Sequence, residues 1–520
     1  MSHPFVSFLS SFVPQLQKKY YQLNKLLWIL ETTGSSDAAD LKVEIEMELR
    51  GLFQNQKVYE QLLEWKNDSF DDMLLERQLD VLIRSFKENQ IPQDLAEKIA
   101  RTEAEMMEDY AHFRPEIEGK KLTENEIREI LTKENDPGIR KKAWNASKEL
   151  GVVLAPKILK VVRLRNEAAQ SLGYSNYFDM QLDLQEVDKK WLMETFDDLA
   201  ERSSEAHQKV LDQVEMVQQN DFGVAKDELG PWAWSEPFGQ EDPLDTRLLD
   251  SLVQDLNFIE VSKNFFLKMG FDTQEVLDKS DLYERKGKNQ HAFCIDLDRE
   301  GDVRTLNNIK PSIRWLETIL HELGHAVYFQ KLDPNLPWLI REPAHNLTTE
   351  AIALICGRQA YRSLFMKPLI KQDSPILKDL DQSLKRRQLI FSRWVLVMTH
   401  FEMALYENPD QDLNSLWWKL VEKYQKIKAP QGRENHPDWA SKYHMALAPA
   451  YYFGYLLGEL LASSLYEAVG SDDLVHKKVG EILETRLFAP GNSYRWDVLI
   501  EKVCGKKLSA DAWLAEFATE

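Results

Sequence analysis

His321-Glu322-Leu323-Gly324-His325 gathers two imidazoles and a carboxylate within one turn of chain. Residues four apart share a helix face, so His321 and His325 can grip one metal ion. Glu322 sits where a carboxylate can take a proton from a water activated by that metal. A catalytic zinc site takes three protein ligands and keeps one position open. The compact pattern H-E-x-x-H-x-x-G-x-x-H fails here, because Tyr328 and Lys331 occupy the glycine and third-histidine positions. A glutamate on a following helix is the alternative. Glu350 lies 25 residues after His325, among Ala351, Ile352, Ala353 and Leu354. A carboxylate buried in such surroundings needs a partner. His345, in the loop after Pro343, is the rival third ligand.

These residues must be carried by helices. In "KPSIRWLETILHELGHAVYFQKLDP", Ile313, Leu316, Leu320, Leu323 and Val327 recur at three- and four-residue spacing, which marks one buried face. Pro311 suits the first helical turn, and Asp333-Pro334 should end the helix. The same periodicity runs through most of the chain, as in "DLAEKIARTEAEMMEDYAHF" and "APKILKVVRLRNEAAQSLGY". Strand-like alternation is scarce. "QHAFCIDLDREGDVRTLN" reads as a small hairpin turning at Arg299-Glu300-Gly301-Asp302. The Pro- and Trp-rich loop Glu228–Asp245 is expected to be a hinge or a piece of wall. The expected fold from this periodicity is all-α with a small hairpin. No boundary is sharp enough to separate independent folding units. Residues 1–520 are therefore read as one unit, with 1–110 as an N-terminal helical lid, 111–284 as a lobe, and 285–520 as the zinc site and C-terminal helices.

The 520 residues are 43% hydrophobic, enough for a large core. The formal net charge of −20 excludes a phosphate-tracking basic face, so nucleic acid is not an expected partner. Cys294, Cys356 and Cys504 are too few and too scattered for a disulfide framework. The N-terminal apolar run lacks a basic start and is interrupted by Pro14, and no run of about 18 apolar residues occurs elsewhere. No membrane partner is expected, and the expected compartment is the cytoplasm. The longest weak stretch is Thr33-Gly34-Ser35-Ser36-Asp37.

With these motifs in place, the chain resembles the zinc peptidases that use a glutamate as third ligand. The resemblance points first to the angiotensin-converting-enzyme (peptidyl-dipeptidase) family, and next to the thimet oligopeptidase and oligoendopeptidase family. It is carried by "HELGHAVYFQKLDPNLPWLIREPAHNLTTEAIA", "WWKLVEKYQKIKAPQGRENHPDWASKYH", "PAYYFGYLLGELLASSLYEAV" and "SADAWLAEF". It implies two helical lobes around a deep substrate cleft, with the hairpin near the active site. It implies zinc on His321, His325 and Glu350, with Glu322 as general base and acid. It implies that His291 and Ala292, 30 residues before the zinc helix motif, bind the substrate backbone. Lys442 would hold the substrate's C-terminal carboxylate with help from Tyr452. His444 would hydrogen-bond the peptide or the intermediate, and Tyr455 would donate to the developing oxyanion.

Three departures stand out. Gly454 replaces an arginine of the chloride-dependent enzymes. Leu354 replaces an aspartate that orients a zinc histidine. Trp234 stands where a carboxylate-binding glutamine is expected. The expectation is a zinc metallopeptidase that hydrolyses short unstructured peptides and releases C-terminal dipeptides, with no evident protein partner. The alternatives are an oligoendopeptidase that cuts internally and an inactive helical peptide-binding protein.

Overall fold

The three- and four-residue periodicity is realised as helix through most of the chain, and the computed structural model describes residues 3–244, 247–370, 376–470 and 474–519. Among the described residues, strand is confined to two antiparallel pairs. One is the expected hairpin, Phe293–Asp296 with Val303–Leu306. The other, Glu116–Ile117 with Lys120–Lys121, was not anticipated. The chain divides into two compact units, each assembled from three separate stretches. The first comprises 1–90, 247–381 and 458–509. The second comprises 91–246, 382–457 and 510–520.

In the first unit, the helix Pro4–Thr33 continues across Pro14. A proline there forfeits one backbone hydrogen bond, but Phe12 and Leu16 on either side are buried and hold the helix. Thr33 to Asp37 is a tight corner rather than a loop. Gly34 takes φ 68°, and Ser35 caps the helix Ser36–Phe53 through the amide of Ala38. The N-terminal helices bury Phe5, Phe12, Leu79, Leu82 and Phe86 in one core with Trp338, Leu339 and Ile340. That segment joins the two helices bearing the candidate metal ligands.

The motif helix spans Ile313–Gln330. Ser312 is its N-cap, and Asp250 Oδ1 accepts from the Ile313 amide at 2.9 Å. Pro311 therefore lies outside the helix: the serine hydroxyl and the aspartate satisfy the first amides and set the start two residues later. The helix Asn346–Arg358 packs directly against it. A Cβ on Gly324 would stand 2.9 Å from Ala353 Cα, so only glycine permits this approach of backbones. The hairpin is anchored from below by Lys288. Its buried ammonium donates to the carbonyls of Asp281, Tyr283 and Asn307 and to Asp281 Oδ1.

The second unit is built around the 35-residue helix Pro137–Ser171 and most of the helix Leu377–Glu407. The Trp-rich loop is packed within this unit. Trp232, Ala233 and Trp234 are buried, and Arg140 donates to the carbonyls of Trp232 and Trp234, both at 3.0 Å. Its last residue, Asp245, lies outside the described residues.

Candidate active site

The first unit brings His321, His325 and Glu350 together. Their donor atoms all lie within 4.8 Å of one another. His321 Nε2 is 3.6 Å from Glu350 Oε2, and His325 Nε2 is 3.7 Å from Glu350 Oε1. His345 is not part of the cluster. It caps the Asn346–Arg358 helix, and its Nδ1 accepts from the Leu347 amide at 3.0 Å. The choice between the two candidate third donors is thus made by a helix cap.

Burial holds the imidazoles neutral: His321 is pushed down to about 4, and His325 well below its ordinary value. Neutral imidazoles have the lone pair a metal requires. Two such nitrogens and one carboxylate suit zinc. His325 Nδ1 is 2.8 Å from the hydroxyl of Thr349. A metal held at Nε2, the nitrogen that faces Glu350 at 3.7 Å, would put the ring proton on Nδ1, where the Thr349 hydroxyl can accept it. Thr349 was missed in the sequence, although it immediately precedes Glu350. Leu354 is apolar here, and its Cδ1 packs against Gly458. For His325, at least, a neutral hydroxyl serves as the orienting partner.

Glu322 is buried next to this cluster. Burial, with the Glu350 charge adding, pushes its carboxyl up to about 8. Glu350 itself is pushed up to about 7 by burial and then by Glu459. Glu459 is ion-paired with Arg358, which also donates to Ser463 Oγ at 3.1 Å. A carboxyl that changes protonation near neutrality, beside a metal-ligand set, can both take and return a proton. His291 is exposed just ahead of the hairpin, its amide bonded to Asn289 Oδ1 at 2.9 Å, and Ala292 follows it.

The second unit brings Lys442, His444, Tyr452 and Tyr455 together. The His444 ring lies 4.7 Å from that of Tyr452 and 6.3 Å from that of Tyr455, and the two tyrosine rings are 5.1 Å apart. Lys442 Nζ donates to Gln240 Oε1 at 3.0 Å, and the Tyr452 hydroxyl donates to the same oxygen at 3.1 Å. Trp394 Nε1 donates to the Tyr452 oxygen at 2.8 Å. A glutamine thus joins Lys442 and Tyr452, but it is Gln240, six residues after Trp234. Trp234 is core, and the loop delivers Gln240 because Glu236 folds it: its carboxylate accepts from the amides of Phe238 and Gln240 at 2.8 and 2.6 Å. Nothing in the sequence marked Gln240, since irregular loops have no period. Burial lowers Lys442 to about 8, opposed by Glu236. Burial, with Lys442 adding, lowers His444 to about 4. His444 Nδ1 is buried with no hydrogen-bond partner among the described residues.

A family model described as angiotensin-converting enzyme matches residues 3–208 and 233–519. The chain belongs to this peptidase family. The angiotensin-converting enzyme of Haematobia irritans exigua is 24% identical over 450 residues, which cover 75% of this chain and 72% of the relative. Oligopeptidase A of Haemophilus influenzae and that of Escherichia coli are each 22% identical over 476 residues, covering 76% of this chain and 66% of each relative. The angiotensin-converting-enzyme family is a metallopeptidase family, and the His321–His325–Glu350 set is where this member can hold its metal. Among the described residues, no helix is long and apolar enough to cross a membrane.

Thr349 gives this member a test that does not depend on activity. Thr349→Val removes the hydroxyl but keeps the shape. It is expected to weaken metal binding by about 10- to 100-fold while leaving the circular dichroism spectrum unchanged. Competition with a chromogenic chelator measures it; an unchanged affinity would mean that His325 needs no such partner.

Proposed function

We propose that the protein is a zinc metallopeptidase that hydrolyses short unstructured peptides and releases dipeptides from their C-termini. The observation that carries this reading is the convergence of His321, His325 and Glu350 within 4.8 Å, beside the buried Glu322. When bound there, zinc supplies a Lewis acid for the scissile carbonyl and the attacking water. Glu322 takes the proton from that water and passes it to the leaving amine. His291 and Ala292, just ahead of the strand Phe293–Asp296, bind the extended peptide backbone. Lys442, Tyr452 and Gln240 take the peptide's C-terminal carboxylate, the lysine as cation and the tyrosine as donor. Tyr455 and His444 provide donors where negative charge develops. The three free cysteines favour a reducing compartment, and the cytoplasm is the proposed location.

A second reading, internal cleavage, is favoured by Gly454 and by the similarity to oligopeptidase A. Mass spectrometry of the products from one unstructured peptide of about ten residues, free and C-terminally amidated, separates the two. Successive dipeptide loss that stops on amidation and on chelation supports dipeptide release. Internal cuts indifferent to amidation move the protein to the endopeptidases. No cleavage with zinc bound would overturn both.

A further inference from the structure

Between His444 and the tyrosines the chain leaves its short helix, Tyr443–Leu447, turns at Ala450, and re-enters helix at Phe453. Ala450 has φ 52°. Left-handed backbone is costly for any residue with a Cβ. Five non-glycine residues among those described adopt it, and Ala450 alone of these is buried. Something must hold it there. The Ala450 amide donates to Glu402 Oε1 at 2.6 Å, with both residues buried. Four residues earlier, Arg165 donates to the Ala446 carbonyl at 3.1 Å and to the Tyr406 hydroxyl at 3.0 Å. A buried acid and a buried base therefore fix the two ends of the 446–450 segment.

Glu402 lies on the helix Leu377–Glu407, which also carries Trp394 and Phe391. Trp394 donates to Tyr452, and Phe391 packs edge-on against Tyr455 with ring centroids 6.1 Å apart. Residues 391 and 402 are eleven apart, three turns along one face. The same helix that touches both tyrosines thus also holds the turn that precedes them. Burying a carboxyl is expensive; this one is pushed up to about 7 by its burial. Its only hydrogen bond among the described residues is to the Ala450 amide.

We propose that Glu402 is a positioning residue: by holding Ala450 in its left-handed turn, it fixes where Tyr452 and Tyr455 present their hydroxyls. The inference rests on the peptidase reading for the roles of those tyrosines. Glu402→Leu removes the acceptor. It is expected to lower kcat by about 10- to 100-fold, the cost of displacing a donor by roughly 1 Å. Glu402→Gln, which keeps an acceptor oxygen, should stay near wild type. Ala450→Gly in the Leu background should recover most of the loss, since glycine adopts the turn unaided.

In a Tyr455→Phe background, Glu402→Leu should lower kcat less than about twofold, because the hydroxyl that serves the chemical step is already gone, while the displacement of Tyr452 from the carboxylate grip is read in KM. A full additional loss there, or an unchanged kcat in Glu402→Leu, overturns the proposal. Glu402→Asp, which withdraws the acceptor by one methylene, takes the place of the leucine variant if that chain does not fold. Amide hydrogen exchange over residues 444–455 reads the clamp without any substrate. Faster exchange in the leucine variant than in wild type is expected, and equal exchange overturns the clamp itself. A wild-type protein that cuts no peptide but shows this difference would sink the peptidase reading and leave the clamp standing.

Discussion

Glu322→Gln is expected to lower kcat by about a thousandfold, within the range of a lost general base and acid, while the protein still binds its metal. Glutamine matches glutamate in shape, so the helix Ile313–Gln330 and its close contact at Gly324 should be undisturbed. What disappears is a group that can accept a proton. The sign of the wild-type pH dependence follows from burial. Without metal the carboxyl stands near 8, and a dication at His321, His325 and Glu350 pulls it down. Below its pKa the group is protonated and cannot accept, so kcat/KM should fall on the acid side with unit slope. The variant's residual rate should lack that limb. Metal content by atomic emission and kcat/KM from pH 5 to 9 check both halves. A variant with full activity would remove Glu322 from the mechanism; one that loses its metal would make the result a matter of ligand geometry.

Lys442→Met is expected to raise KM for peptides with a free C-terminus by about 100-fold, close to 3 kcal/mol for an unpaired buried carboxylate. C-terminally amidated peptides should be affected little. Lys442 is buried among Phe238, Trp394 and Tyr452, with Nζ 4.9, 5.2 and 5.6 Å from the three ring centroids. Water cannot replace the ammonium there as it could at a surface. In the free enzyme the lysine is lowered to about 8, so it is cationic below that pH and neutral above it. The ratio of kcat/KM for free over amidated peptide should therefore be flat below pH 8 and fall about tenfold per unit above it. Loss of the ratio in the methionine variant at every pH completes the assignment. A ratio near one in the wild type would show that no carboxylate is gripped, and internal cleavage would then be the better reading.

Several features were legible in the residues alone because they are local. Four-residue spacing puts His321 and His325 on one face whatever the rest of the chain does. Alternation about a Gly301 turn makes a hairpin of Phe293–Asp296 and Val303–Leu306. Glu350 stood out as a charge in an apolar helix. At the helix start the sequence misled, and a nearby competitor decided: Ser312 and Asp250, rather than Pro311, set it. His345, the rival set aside in favour of Glu350, is a cap.

By itself, then, the sequence determined a helical fold, a likeness to a metallopeptidase family and a candidate ligand set with a carboxylate beside it, since period and motif spacing are properties of neighbouring residues. Only the tertiary structure decided what supports them. The hydroxyl that orients His325 comes from Thr349, 24 residues away, and the oxygen that joins Lys442 to Tyr452 comes from Gln240, 202 residues before the lysine. Each compact unit draws on three distant stretches, which is why no boundary could be seen along the chain. Such pairings depend on the path the backbone takes through its irregular loops. Those paths are set by buried groups such as Glu236 and Glu402, which carry no periodic signal in sequence.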